Sequence, residues 1–102
     1  PVAAVLALRD EQGVALDRIG AWEINEAFAA QVLACTRELG LDDKAINTHG
    51  GAIALGHPLG ASGARITGHL ARRIESQGAG TLGVAALCVG GGMGMAILLE
   101  AV

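Results

Sequence analysis

Three side chains of this sequence belong to types that can move protons or hold a developing charge, and each sits where the backbone is tightly constrained. His57 lies within Asn47-Thr48-His49-Gly50-Gly51-Ala52-Ile53-Ala54-Leu55-Gly56-His57-Pro58-Leu59-Gly60-Ala61-Ser62-Gly63. That segment is too rich in glycine to be a simple helix or strand, and its glycines permit close approaches that a Cβ would forbid. The residue before a proline is pushed out of the helical region, so His57 is oriented by its own main chain. An imidazole titrates near neutrality and can take or give a proton readily. Thirty-one residues further on, Ala86-Leu87-Cys88-Val89-Gly90-Gly91-Gly92 delivers a thiol to the end of an apolar run and then bares the main chain. A free thiol titrates at about 8.5, so one acting as a base needs nearby positive charge or dipoles. Upstream, Glu23-Ile24-Asn25-Glu26-Ala27-Phe28 presents an amide that both donates and accepts.

Each of these residues has a plainer reading. His57 could be a structural loop histidine, and Cys88 a small buried hydrophobe, the commoner fate of a free cysteine. Asn25 equally suits a helix N-cap, with Glu26 as an early-helix acid favoured by the dipole. Gly90 could serve only a tight hairpin. Cys35, on an apolar helical face, reads as core. His49 reads as a loop residue near the site and His69 as a surface residue.

The elements that must carry these groups follow from periodicity. A helix is expected over residues 1–12, opening at proline and closed by Gly13. Ile19–Ile24 reads as a short strand. A helix should start at Asn25 or Glu26, with Phe28, Val32, Cys35 and Leu39 as its apolar face and Gly40 as its stop. Ala45-Ile46-Asn47 should enter a short strand before the glycine-rich loop. A third helix should begin near Ala61 or Ser62 and end at Gly78. Its face of Ile66, Leu70 and Ile74 points inward, and Arg65, Arg72, Arg73 and Glu75 lie on its outer faces. Residues 81–89 and 93–100 are two nearly unbroken apolar runs, expected as strands covered on both faces. Their short connection makes them antiparallel. The sum is an α/β layered fold: a mixed sheet with helices on both faces, ending in an antiparallel strand pair.

The chain has 102 residues, enough for one domain, and is 52% hydrophobic but only 2% aromatic, which calls for an aliphatic, alanine-rich core. A net charge of −3 without basic clusters argues against nucleic acid or an anionic membrane as partner. Two cysteines without metal-ligand spacing fit free thiols in a reducing compartment such as the cytoplasm. No apolar stretch is long enough for a membrane helix. No G-x-G-x-x-G opens a helix and no P-loop lysine is present, which sets nucleotide binding aside. The chain opens on Pro1 with no basic leader, and reads as one entered midway.

Taken in order, the Asn-Glu-Ala-Phe, glycine–histidine and cysteine–triple-glycine segments resemble the thiolase family, acyltransferases that form and cleave thioesters of coenzyme A. The resemblance spans the whole chain, and the glycine–histidine segment is its most specific part. It implies the C-terminal domain of a thiolase over residues 1–102. The N-terminal half, with its nucleophilic cysteine, and the coenzyme A loop domain would then lie outside this sequence. It implies that His57 activates that cysteine and donates to a thioester oxygen, and that Cys88 is the acid–base residue at the α-carbon. Asn25 would orient a water that completes an oxyanion site with His57, and the Gly90 amide would serve a second oxyanion. The partners implied are acyl-CoA and coenzyme A as substrates, the N-terminal half, and further copies in a homo-oligomer; no metal or resident cofactor is implied. Ketoacyl synthases share part of the pattern but pair two histidines, so Cys88 favours a thiolase. Asn25 favours the ordinary degradative or biosynthetic branches over the sterol carrier type. A rival reading is a truncated or split thiolase-like fragment, inactive alone and acting only as a folding or assembly partner.

Overall fold

The computed structural model describes residues 1–102, with three strands and four α-helices in the order α1, β1, α2, α3, α4, β2, β3. Helix α1 (Val2–Gln12) ends at Gly13, whose left-handed φ of 64° lets its N–H cap the Arg9 carbonyl. A single 3₁₀ turn leads into β1 (Ile19–Ile24), which pairs parallel with β2 (Leu82–Gly90); β2 in turn pairs antiparallel with β3 (Met93–Glu100). The sheet order is therefore β1-β2-β3, a mixed sheet as expected.

Strand alternation divides the core into two. Trp22 and Ile24 of β1 and Val84 and Ala86 of β2 face α1 and α2 (Ala29–Leu39), meeting Val5, Val32, Cys35 and Leu39. Ala21 and Ala85 face α4 (Ser62–Gln77), meeting Ile66, Leu70 and Ile74. Helix α4 comes so close that a Cβ on Gly83 would lie 2.7 Å from both Leu70 and Ile74. The small residues of β1 and β2 are what bring this helix down onto the sheet.

Four expectations are corrected. Helix α2 begins at Ala29, with Phe28 rather than Asn25 or Glu26 at its N-cap position. Asn25 is still tied to the sheet, its N–H donating to the Ala86 carbonyl at 2.9 Å, and it stands four residues ahead of the first helical residue. Phe28 is 71% exposed and stands apart from the buried row Val32, Cys35 and Leu39. The expected strand at residues 45–47 is a single bridge between Ile46 and Trp22, and the loop beyond it holds a one-turn helix, α3 (Ala52–Leu55). Arg73 is not on an outer face but buried beside Glu23.

Strand β3 also departs from full coverage on both faces. Ala96 and Leu98 pack toward α1, while Met93, Met95 and Ile97 on the opposite face stay exposed, Met95 and Ile97 lining a cavity beside Gly63, Ile66 and Thr67 of α4. Leu59 and Phe28 add to the uncovered apolar surface, 83% and 71% exposed. Contiguous apolar surface of this kind drives association. The 102-residue segment alone is expected to self-associate, giving a light-scattering mass above its 10.2 kDa. A monodisperse monomer at micromolar concentration would contradict this.

Candidate active site

Two parallel strands that end together create an edge, and ligands of α/β sheets bind beyond the carboxyl ends of such strands. In β1 and β2 the pairing of Ile24 with Ala86 brings the chain out at Asn25 on one strand and Cys88 on the other. The β2–β3 ladder shifts register between Cys88 and Gly90, and Gly91 and Gly92 make a two-residue turn with φ of 60° and 76°. Positive φ at both central positions is the hairpin geometry that demands glycine. Gly90, also at positive φ (88°), stands at the base of this turn.

His57 reaches the same edge through the long loop. Asn47 starts the approach: its side-chain Oδ1 accepts from Ile24 N–H at 2.9 Å and its Nδ2 donates to Ile24 O at 2.7 Å. The amide thus mimics a neighbouring strand, and Asn47 is the one non-glycine residue at positive φ, 46°. Asparagine tolerates this left-handed conformation better than most residues. Glu26 locks the next segment, accepting Asn47 Nδ2 at 3.1 Å and the Ile53 N–H of α3 at 2.9 Å. A Cβ on Gly51 would meet the Glu26 carboxylate, which would have to move and give up these two hydrogen bonds. After α3 the chain turns at Gly56, and Pro58 O accepts the N–H groups of Ala61 and Ser62 at 2.8 and 2.9 Å. This turn launches α4 directly behind His57.

The result is a cavity of about 500 Å³ lined by Ala27, Phe28, His57, Leu59, Cys88 and Gly90, together with Leu87 and Val89. Three of the four expected site residues share it. Asn25, 1% exposed, lies behind the imidazole, with Nδ2 3.4 Å from His57 Nε2. On the other side His57 Nδ1 meets Ser62 Oγ at 2.5 Å, and Ser62 Oγ donates to Pro58 O at 3.1 Å. Arg65 of α4 places Nη2 3.5 Å from Asn25 Oδ1. His49 is outside the cavity: its ring sits edge-on to His69, centroids 5.2 Å apart. His69 is half-buried rather than at the surface, with Nε2 3.7 Å from Glu23 Oε1. No group of three or more histidine, cysteine, aspartate or glutamate side chains is disposed to hold a metal.

Residues that the periodicity argument passed over are Ser62, Arg65, Glu26, Asn47 and the pair Glu23–Arg73. The signal for the last was available. Glu23 and Asn25 share one face of a strand, and Arg65, His69 and Arg73 recur every four residues on one helical face. Buried acids require a partner, and α4 supplies it: Arg73 Nη1 donates to Glu23 Oε1 at 2.5 Å and to Trp22 O at 2.9 Å. Removing one member of a buried pair strands the other charge, at about 3–5 kcal/mol. Arg73→Met should therefore lower unfolding stability by that amount, and adding Glu23→Leu should recover much of it. Urea unfolding of the two single and the double variants checks this cycle; additive losses would contradict it.

Comparison with known proteins agrees with this architecture. Residues 1–101 match the family model described as "Thiolase, C-terminal domain". A probable acetyl-CoA acetyltransferase of Mycobacterium tuberculosis is 52% identical over 101 residues, which cover 99% of this chain and 25% of that protein. The crystal structure of the Acat5 thiolase from Ascaris suum in complex with coenzyme A superposes with a TM-score of 0.93 at 49% identity, over 100% of this chain and 26% of that one. Peroxisomal 3-ketoacyl-CoA thiolase of Saccharomyces cerevisiae, a five-layered structure built from two core domains of identical topology, gives 0.92 at 42% identity, covering 99% of this chain and 29% of that one. The class is thus an α/β layered acyltransferase fold. The chain belongs to the thiolase family, matches its C-terminal domain, and spans about a quarter of the length of the relatives it resembles.

Proposed function

We propose that this chain supplies the acid–base and oxyanion-stabilising groups of an acetyl-CoA C-acyltransferase. Such an enzyme cleaves 3-ketoacyl-CoA with coenzyme A, or runs the reverse Claisen condensation of two acyl-CoA thioesters. The observation that carries this reading is the shared cavity: an imidazole, a thiol and a glycine at the base of a hairpin face one space at the carboxyl edge of parallel strands.

In the cleavage direction, a cysteine contributed by the N-terminal half loses its proton to His57. The resulting thiolate attacks the 3-keto carbon, and collapse of the adduct breaks the bond between C2 and C3. The electron pair passes to C2 as an enolate of the departing thioester, and the Cys88 thiol returns a proton to that carbon. The Cys88 thiolate then takes the proton of incoming coenzyme A, whose sulfur accepts the acyl group and frees the nucleophile. Once His57 Nε2 carries a proton, it and Asn25 Nδ2, 3.4 Å away, are both donors and present two hydrogens to oxygens at this edge. An ordered water on Asn25 together with His57 suits the enolate oxygen, and the Gly90 amide suits the tetrahedral oxyanion. Coenzyme A thioesters are substrates here, and the reading calls for no resident cofactor.

Partners in this reading are acyl-CoA, the N-terminal half carrying the nucleophile, and further copies of the subunit. No helix is long and apolar enough to cross a membrane. In the full-length subunit, His57→Ala and Cys88→Ala should each lower turnover by about 10²–10⁴-fold, the range of positioned proton transfer. Steady-state thiolysis kinetics measure this. Near-normal turnover in either variant would remove that residue from the mechanism.

A further inference from the structure

We infer that Ser62 and Arg65 are positioning residues that fix the tautomer of His57, holding its proton on Nδ1 and its lone pair on Nε2 toward Asn25. The inference rests on the acyltransferase reading for its consequence, but its physical content stands on five groups and the four contacts between them.

The contacts run Arg65 Nη2 to Asn25 Oδ1 at 3.5 Å, Asn25 Nδ2 to His57 Nε2 at 3.4 Å, His57 Nδ1 to Ser62 Oγ at 2.5 Å, and Ser62 Oγ to Pro58 O at 3.1 Å. The donor end of this chain fixes the order of the rest. A guanidinium has donors and no acceptor, and a carbonyl accepts and never donates. At the acceptor end Pro58 O also takes the N–H groups of Ala61 and Ser62, and when the Ser62 hydroxyl gives its hydrogen to that carbonyl as well, Oγ offers only lone pairs to the ring. His57 Nδ1 must then carry the hydrogen, and a neutral imidazole with Nδ1–H has a bare Nε2. From the donor end, Arg65 claims Asn25 Oδ1, so the amide turns its NH₂ toward His57. A donor there needs a lone pair on Nε2. The donor end thus selects the tautomer, the Ser62 hydroxyl is placed to accept from the Nδ1–H it requires, and this is the arrangement of hydrogens that satisfies all four contacts.

The local sequence builds this device. Pro58 follows the histidine, its carbonyl closes the turn over residues 58–61, and the turn brings residue 62 back under the ring five positions upstream. Ser62 is 0% exposed, so water does not compete for its hydroxyl. Arg65 follows on the face of α4 turned toward β1, one helical turn ahead of His69 and two ahead of Arg73. An imidazole in the other tautomer would present N–H to the incoming thiol and could not take its proton.

The test uses the full-length subunit containing this segment, labelled with ¹⁵N-histidine, with long-range ¹H–¹⁵N correlations assigning the His57 ring. The expected result is Nδ1–H with an unprotonated Nε2 in the neutral protein. Ser62→Ala should convert a large share to Nε2–H and lower kcat by at least about tenfold, part of the about 10²–10⁴ that positioned proton transfer contributes. KM should stay close to its original value, since the loss falls on the transition state. Ser62→Thr, which keeps the hydroxyl, should restore the Nδ1–H form. A wild-type ring in the Nε2–H form overturns the inference without any variant. So does Ser62→Ala with an unchanged tautomer, or with a changed tautomer and undiminished kcat. Full turnover in His57→Ala would instead remove the acyltransferase role of His57 while leaving the tautomer result in place, so the two failures are distinguishable.

Discussion

The parallel register between β1 and β2 is the constraint on which the site depends. With Ile24 opposite Ala86 and the Asn25 N–H on the Ala86 carbonyl, both strands emerge at one edge of the sheet. A slip of one residue would turn every side chain of a strand to its opposite face. Asn25 would then leave the α4 side and lose both His57 and Arg65. The histidine loop has no regular structure to fix it, so it borrows this edge: Asn47 pairs its side-chain amide with Ile24, and Glu26 ties the loop to α3. The imidazole is therefore located by hydrogen bonds to β1 as much as by its own flanking proline and glycine.

Helix α4 couples these parts. Its apolar residues Ile66, Leu70 and Ile74 settle against alanine and glycine on β1 and β2, and no bulkier strand residue would allow that approach. Its polar row of Arg65, His69 and Arg73 lies along the Asn25 and Glu23 side of β1. A buried ion pair adds little net stability over a well-packed apolar contact, but misregister between α4 and β1 would strand a charge in the core. The Glu23–Arg73 pair thereby restricts how α4 can seat, and with it where Ser62 and Arg65 stand relative to the ring.

Much of this was readable from residue types. The helix ends at Gly13 and Gly40, the strand at 19–24, the start of α4 near Ser62 and the antiparallel final pair all follow from local periodicity and glycine positions. What local periodicity missed was set by tertiary partners. The four- and three-residue spacing placed Phe28 on the helix face, but the chain stays extended through Asn25 because its N–H is held by β2. Arg73 looked solvent-facing until Glu23 came to lie beneath it. Glu26 suited a helix start, yet its carboxylate serves the loop beside Gly51. Of the site, His57, Cys88 and Gly90 stood out because glycine and proline mark constrained backbone in the sequence itself. Ser62 and Arg65 did not, because a serine and an arginine at the start of a helix look ordinary without the turn that folds them back.

The central claim is that the His57 imidazole and the Cys88 thiol, brought to one strand edge from distant parts of the chain, act on the same acyl group. A crystal structure of the full-length subunit with a 3-ketoacyl thioester bound tests it most directly. The account predicts His57 Nε2 within hydrogen-bond reach of a substrate oxygen and Cys88 Sγ in contact with the carbon between the two carbonyls. An acyl group that touches only one of the two, or lies outside the cavity they line, would contradict it.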